Sequence, residues 1–188
     1  MEHIKREDVL SPDEYLKLRE SINRDIIRME KGRRVSTRTF SFLFENREIA
    51  INQVNEMVFL ENIRDEGEIK HLMEIYSEQI PGDNEISISL FIEFSDQSQL
   101  ATELPRLAGL ENSIYLTFDG QELKGTPEEG RSTEVLESTL QYLKFEFSGE
   151  DADRFRAAKN AYIESRHKGY EESARIPQEL LEALKQEI

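Results

Sequence analysis

The sequence predicts an α+β fold: a largely antiparallel sheet of about five or six strands, built from hairpins, with helices packed against it. Three observations predict it. Short apolar runs of period two are separated by turn residues. Helical periodicity comes in blocks between those runs, without a repeating strand–helix alternation. The 188 residues hold no internal repeat, low-complexity tract or linker, so one domain over residues 1–188 is expected.

The elements follow in order. Ser11-Pro12-Asp13-Glu14 is a capping box with proline at the first helical position. Tyr15, Leu18, Ile22, Ile26 and Met29 recur at spacings of three and four, predicting a helix over about 11–31 that Gly32 stops. Phe40, Phe42 and Phe44 alternate with Thr39, Ser41 and Leu43, and Ile49 and Ile51 follow, which reads as a hairpin turning near Asn46. From Asn52, Val54, Met57, Val58, Leu60 and Ile63 predict a helix. Ile69, Leu72, Met73 and Tyr76 predict another that ends before Pro81-Gly82. Ile86, Ile88, Leu90, Ile92 and Phe94 form a long strand with one buried face.

Residues 98–110 look helical, broken at Pro105. Ile114, Leu116 and Phe118 lead into Asp119-Gly120, a two-residue hairpin turn. Residues 125–132 read as an exposed loop, and Leu143, Phe145 and Phe147 return to strand. Residues 149–162 read as helix and 166–176 as irregular. Pro177 opens a closing helix, about 177–187, that carries Leu180, Leu181 and Leu184.

Composition narrows the function. A net charge of −15 argues against nucleic acid, whose phosphates demand a surplus of Lys and Arg. No apolar run reaches the length that spans a bilayer, so no membrane association is expected. The absence of cysteine removes disulfides, thiolate nucleophiles and cysteine-held metal clusters. With no apolar signal-like stretch at the start, a cytoplasmic protein is the simplest expectation. One window runs against the overall charge. From Arg24 to Arg38, six basic residues stand against two acids, which suits an acidic protein partner or a small anion.

Within that window Arg33, Arg34 and Arg38 lie at and beyond the helix stop and are the candidate partner contacts. Glu45, Arg47, Gln53 and Glu56 form a second candidate set. Gln53 and Glu56 share a helix face, and Arg47 could bind an anion there while a carboxylate serves as general base. The competing reading is structural, with Glu45 and Arg47 paired across the turn. Two Glu-x-x-His spacings, Glu68 with His71 and Glu164 with His167, have the form of di-iron ligand pairs. A middle section spent on strands leaves too few long helices for such a bundle, so no metal and no cofactor are expected.

The run Phe44-Glu45-Asn46-Arg47, followed by Gln53 and Glu56-Met57, carries a resemblance. Ile80-Pro81, Lys144-Phe145, His167 with Tyr170, and Pro177 extend it in order along nearly the whole chain. The chain resembles the bacterial and archaeal domain-of-unknown-function family 3501. Gln141 stands where the family has histidine, and Lys168-Gly169 where proline–asparagine is usual. The family has no assigned activity, so no catalytic residue carries over. Its members are often encoded beside rubrerythrin-like and other redox proteins, which implies a peroxide-stress or redox setting. The resulting expectation is a non-enzymatic accessory or interaction protein docking through Arg33, Arg34 and the Glu45–Arg47 turn. The alternative is a small enzyme or ligand-binding protein with a pocket at Arg47, Gln53 and Glu56. Oligomeric state is not legible.

Overall fold

All five residues of the phenylalanine strand, Phe40–Phe44, are buried, so both of its faces are covered. In the structure, a computed structural model describing residues 3–94, 101–127 and 139–188, this strand is second in an antiparallel sheet. That sheet runs β1 (Arg34–Ser36), β2 (Phe40–Phe44), β3 (Glu85–Ile92), β7 (Leu140–Glu146), β6 (Thr126–Pro127). Phe42 lies opposite Leu90, and Leu90 opposite Gln141. A second antiparallel sheet runs β5 (Gln121–Lys124), β4 (Ile114–Phe118), β8 (Ala161–His167), β9 (Tyr170–Arg175). The α+β class stands, with nine strands among the described residues divided between two sheets.

The chain forms two compact units. One comprises Arg34–Phe44 and Asn84–Ile188 and holds both sheets. Its core joins Phe40, Phe42, Leu90 and Leu143 of the first sheet to Leu116, Phe118 and Ile163 of the second. Two helices contribute to the same core, Phe155 from Gly149–Ala157 and Leu180, Leu181 and Leu184 from Gln178–Glu187. Phe155 meets Phe118 edge-on at 5.1 Å and Phe147 at the same centroid distance, a geometry that adds to area burial.

The other unit, Met1–Arg33 with Glu45–Asp83, is built on three helices. These are α1 (Pro12–Arg33), α2 (Arg47–Leu60) and α3 (Glu66–Ser77). Its smaller core gathers Ile4, Val9, Ala50, Val54, Val58, Ile69 and Ile80. Buried Asn55 on α2 accepts from the Leu10 N–H at 2.8 Å and donates to the Asp8 and Ile51 carbonyls. Ser77 on α3 accepts from the Ile4 N–H at 2.9 Å. Two polar side chains thereby tie residues 4–10 to the helices and leave their own groups satisfied.

Several local expectations change. The helix expected over 149–162 ends at Ala157, and Ala161 and Tyr162 belong to β8. Strand β3, expected to bury one face, buries Ser87 and Ser89 as well as Ile86, Ile88 and Leu90. The stretch after Phe44 is helix from Arg47 onward, because Asn46 caps it by accepting from the Ile49 N–H at 3.0 Å. Ile49 is therefore a helix residue and no hairpin arm. Residues 166–176 are mostly ordered strand, with β8 and β9 pairing from Tyr162–Arg175 to His167–Tyr170 and Gly169 at φ +84° in the turn. Gly32 does not stop α1, which runs to Arg33. In the expected loop 125–132, Thr126–Pro127 is a strand beside β7; its later residues lie outside the described chain. Of 98–110, residues 98–100 also lie outside it, and Leu104–Leu107 is a short 3-10 turn with Pro105 in its first positions. The Asp119-Gly120 turn is as expected, with φ of +41° and +85°.

No described helix is long and apolar enough to cross a membrane. Replacing Phe155 by alanine in the aromatic cluster is expected to cost about 3–5 kcal/mol. Urea unfolding should show a lowered midpoint at unchanged slope.

Candidate functional site

Helix α1 carries Tyr15, Arg19 and Asn23 at successive spacings of four, so all three project from one face. Helix α2 offers Asn52 and Glu56 at the same spacing. The three α1 side chains converge on the Glu56 carboxylate, and Asn52 meets the Tyr15 hydroxyl. Arg19 donates to it twice, Nε to Oε1 and Nη2 to Oε2, each at 2.9 Å. Asn23 Nδ2 donates to Oε1 at 2.7 Å, and the hydroxyl of fully buried Tyr15 lies 2.9 Å from the same oxygen. That hydroxyl is also 2.8 Å from Asn52 Oδ1. It has one proton, and the charged carboxylate is the stronger acceptor. The Arg19 guanidinium also sits over the Phe59 ring at 5.0 Å, which presents its forked donors to Glu56.

Electrostatics follow from this geometry. The Arg19 hydrogen bonds hold the Glu56 carboxyl below its ordinary value, against the opposing effect of burial, and Asn23 and Tyr15 add to the lowering. Burial, then the hydrogen bond to Glu56, pushes the Tyr15 hydroxyl well above its usual range. Glu56 is thus charged and Tyr15 neutral near pH 7. A carboxylate so stabilised is a poor general base, since proton transfer favours a group whose pKa lies near the working pH. The cluster locks α1 onto α2.

On the solvent side of the lock, α1 presents an open face of Leu16, Arg19, Glu20, Asn23, Arg24 and Ile27. Arg19 and Asn23 belong to both. Leu16 and Ile27 stand 61% and 65% exposed, and Leu18 is 50% exposed. For large apolar side chains on a packed helix, such exposure is the informative departure.

The family model described as "Protein of unknown function (DUF3501)" matches residues 3–188. The chain belongs to this family. A crystal structure of a novel protein of unknown function from Burkholderia pseudomallei K96243 is similar throughout. It covers 100% of both chains at 26% identity with a TM-score of 0.91. No curated protein matches the chain.

In this DUF3501 member the candidates singled out from the sequence part company. Arg33 is buried, the last residue of α1, and donates from Nη2 to the Glu45 carbonyl at 3.1 Å. The expectation that it lies past the helix end in solvent is therefore corrected. Arg34 is a β1 residue, half-buried, that donates to Ser41 Oγ at 2.8 Å and lies over the Phe91 ring at 4.7 Å. Arg38 is exposed and pairs at 3.3 Å with Glu172, whose carboxylate also takes the Thr39 N–H and hydroxyl. Glu45 is buried. Arg47 donates to Asp8, while Glu56 is taken by Arg19, so the two charges enter separate ion pairs. The Gln53 side chain makes no hydrogen bond among the described residues.

The histidine pairs separate too. Glu68 and His71 are exposed on α3. Glu164 and His167 lie on strand β8, where a spacing of three puts them on opposite faces. Glu164 accepts from Thr117 and Arg166, while His167 Nε2 donates to the Arg106 carbonyl at 2.8 Å. Among the described residues no group of three or more acidic or histidine side chains could hold a metal ion.

Sequence reasoning missed Tyr15, Arg19, Asn23 and Asn52. The available signal was the polar row Arg19–Asn23 beside Tyr15, which an apolar-stripe reading passes over. Because Glu56 is lowered in the folded state, its contribution is present above the unfolded value of about 4.3 and is lost as pH falls through the lowered value. Tm should fall on acidification through that window. Glu56→Gln should flatten the dependence and cost about 1–3 kcal/mol at pH 7, read by thermal unfolding at a series of pH values.

Proposed function

We propose that this DUF3501 member is a non-enzymatic interaction protein that receives an acidic, amphipathic helical segment of a partner along the outer face of α1. The observation that carries this reading is a pair of adjacent rows on that helix. Exposed Leu16 and Ile27 bracket Glu20, which pairs with Arg24, and Asn23, which is bonded to Glu56, at alternating spacings of four and three, the spacing of a helix-packing seam with apolar ends. Beside them Lys17, Arg24, Arg28 and Lys31 form an exposed cationic row.

The charge pattern chooses the occupant. Two antiparallel copies of α1 laid along the seam would set one cationic row against the other, which specifies against that self-pairing. A helix with apolar seam residues flanked by Asp and Glu finds apolar contact and opposite charge together. The Glu56 lock supports the reading, because it fixes α1 by its inner face and holds Arg19 and Asn23 in place beside the open face. The docking surface is thus moved along the helix from the Arg33–Arg34 end to the Leu16–Lys31 face. The acidic partner stays as the charge pattern suggests, a cytoplasmic setting suits the absence of cysteine, and the accessory role near redox enzymes comes from the family resemblance.

The test is fluorescence anisotropy with a synthetic helical peptide bearing leucine at the seam positions and glutamate beside them. Binding should tighten as salt is lowered. Leu16→Asp, or Lys17→Glu with Arg28→Glu, should weaken it about tenfold, ~1.4 kcal/mol, at unchanged Tm. A lysine-flanked peptide that binds equally well, or a charge-reversed protein that binds as before, would overturn the reading. Dimerisation lost in Leu16→Asp, seen by light scattering, would assign the face to a second copy.

A further inference from the structure

The second sheet leaves its outer face to solvent, and its register arranges that face in rows. Glu122, Thr117, Tyr162 and Arg175 stand side by side across β5, β4, β8 and β9. Lys124, Tyr115, Glu164 and Ser173 form the next row. At the end nearest the Asp119-Gly120 turn the face dips into a concavity of about 500 Å³. The turn makes one wall. It is held there by the Asp119 carboxylate, which accepts the Lys159 and Asn160 N–H groups at 2.8 and 3.3 Å. The wall is therefore fastened to the chain entering β8.

The charges that line the concavity are already engaged. Arg166 donates to Glu122 at 2.9 Å and to Glu164 at 3.1 Å, while lying over the Tyr115 ring at 4.2 Å. Glu164 also accepts the Thr117 hydroxyl at 3.1 Å, and Arg175 donates to Asn160 Oδ1 at 2.6 Å. The uncommitted groups are neutral. Tyr162 stands 37% exposed, and neither its hydroxyl nor the Gln121 amide has a hydrogen-bond partner among the described residues. The Asn160 amide keeps its NH₂ donors.

We propose that this concavity binds a neutral, polyhydroxylated ring, a pyranoside of the sugar class. Its apolar C–H face would lie on Tyr162, and its hydroxyls would meet the Gln121 and Asn160 amides and the outer lone pairs of Glu122. An aromatic body with a polar tip, set among a few fixed hydrogen-bonding groups, is the composition such recognition needs. A charged ring would compete with the Arg166 bridges to Glu122 and Glu164, so the site selects for neutrality. This inference is independent of α1, and its failure leaves the docking reading intact.

The experiment is an amide chemical-shift titration of the labelled protein. The probes are methyl glucoside, methyl galactoside, methyl mannoside, N-acetylglucosamine, glucuronate and glucosamine. At least one neutral pyranoside should give saturable shifts centred on Gly120, Gln121, Asn160 and Tyr162, with Kd on the order of millimolar, as a single shallow ring site allows. Glucuronate and glucosamine should bind several-fold more weakly. Tyr162→Ala, at an exposed position, should abolish saturation while leaving the rest of the spectrum unchanged. Absence of saturable shifts with every neutral probe, equal binding of the charged sugars, or shifts undiminished in Tyr162→Ala would each overturn the proposal.

Discussion

The outward face of α1 depends on one ion pair, Arg19 with Glu56. Helix α1 is 22 residues long, yet only Pro12, Tyr15 and Arg33 are buried on it. An ordinary surface helix is fixed by an apolar stripe. Here the inner face is held by hydrogen bonds to one carboxylate, and the outer face is left with leucine and isoleucine in water. A polar anchor of this kind is geometrically demanding, because each donor has a direction. It also sets the rotation of α1 about its axis, which decides which residues face out.

That arrangement explains why net charge misleads here. The whole chain is strongly negative, yet α1 presents Lys17, Arg24, Arg28 and Lys31 in a line. Screening confines each charge to its neighbourhood at physiological salt, so the partner proposed for α1 would meet the local row first. The overall negative charge acts against nonspecific contact with other acidic surfaces.

The sequence was legible where a single physical signal dominated. The Ser11–Glu14 capping box, the alternation from Ile86 to Ile92 and the Asp119-Gly120 turn each mark their element, and each element is present. It was illegible where two signals compete. Glu45-Asn46-Arg47-Glu48 has turn composition, but the same Asn46 is a good helix cap, and the apolar residues after it pack with helical period. From Ala161 to Arg175 the alternation is real but quiet. Ser165 occupies a buried position in β8, and β9 is polar on its exposed side. Of the candidate site only Glu56 was visible, since its partners are more than 30 residues distant in the chain. The row Tyr15, Arg19, Asn23 shows in local spacing, but nothing local says that it meets Glu56.

The stitching of residues 4–10 to the helices carries a practical consequence. Ile4 and Val9 belong to the helical core, and the backbone around them satisfies the polar groups of Asn55 and Ser77. This leading segment is a structural strut. Trimming it to shorten an expression clone would strip two apolar residues from a small core and strand two interior polar side chains at once.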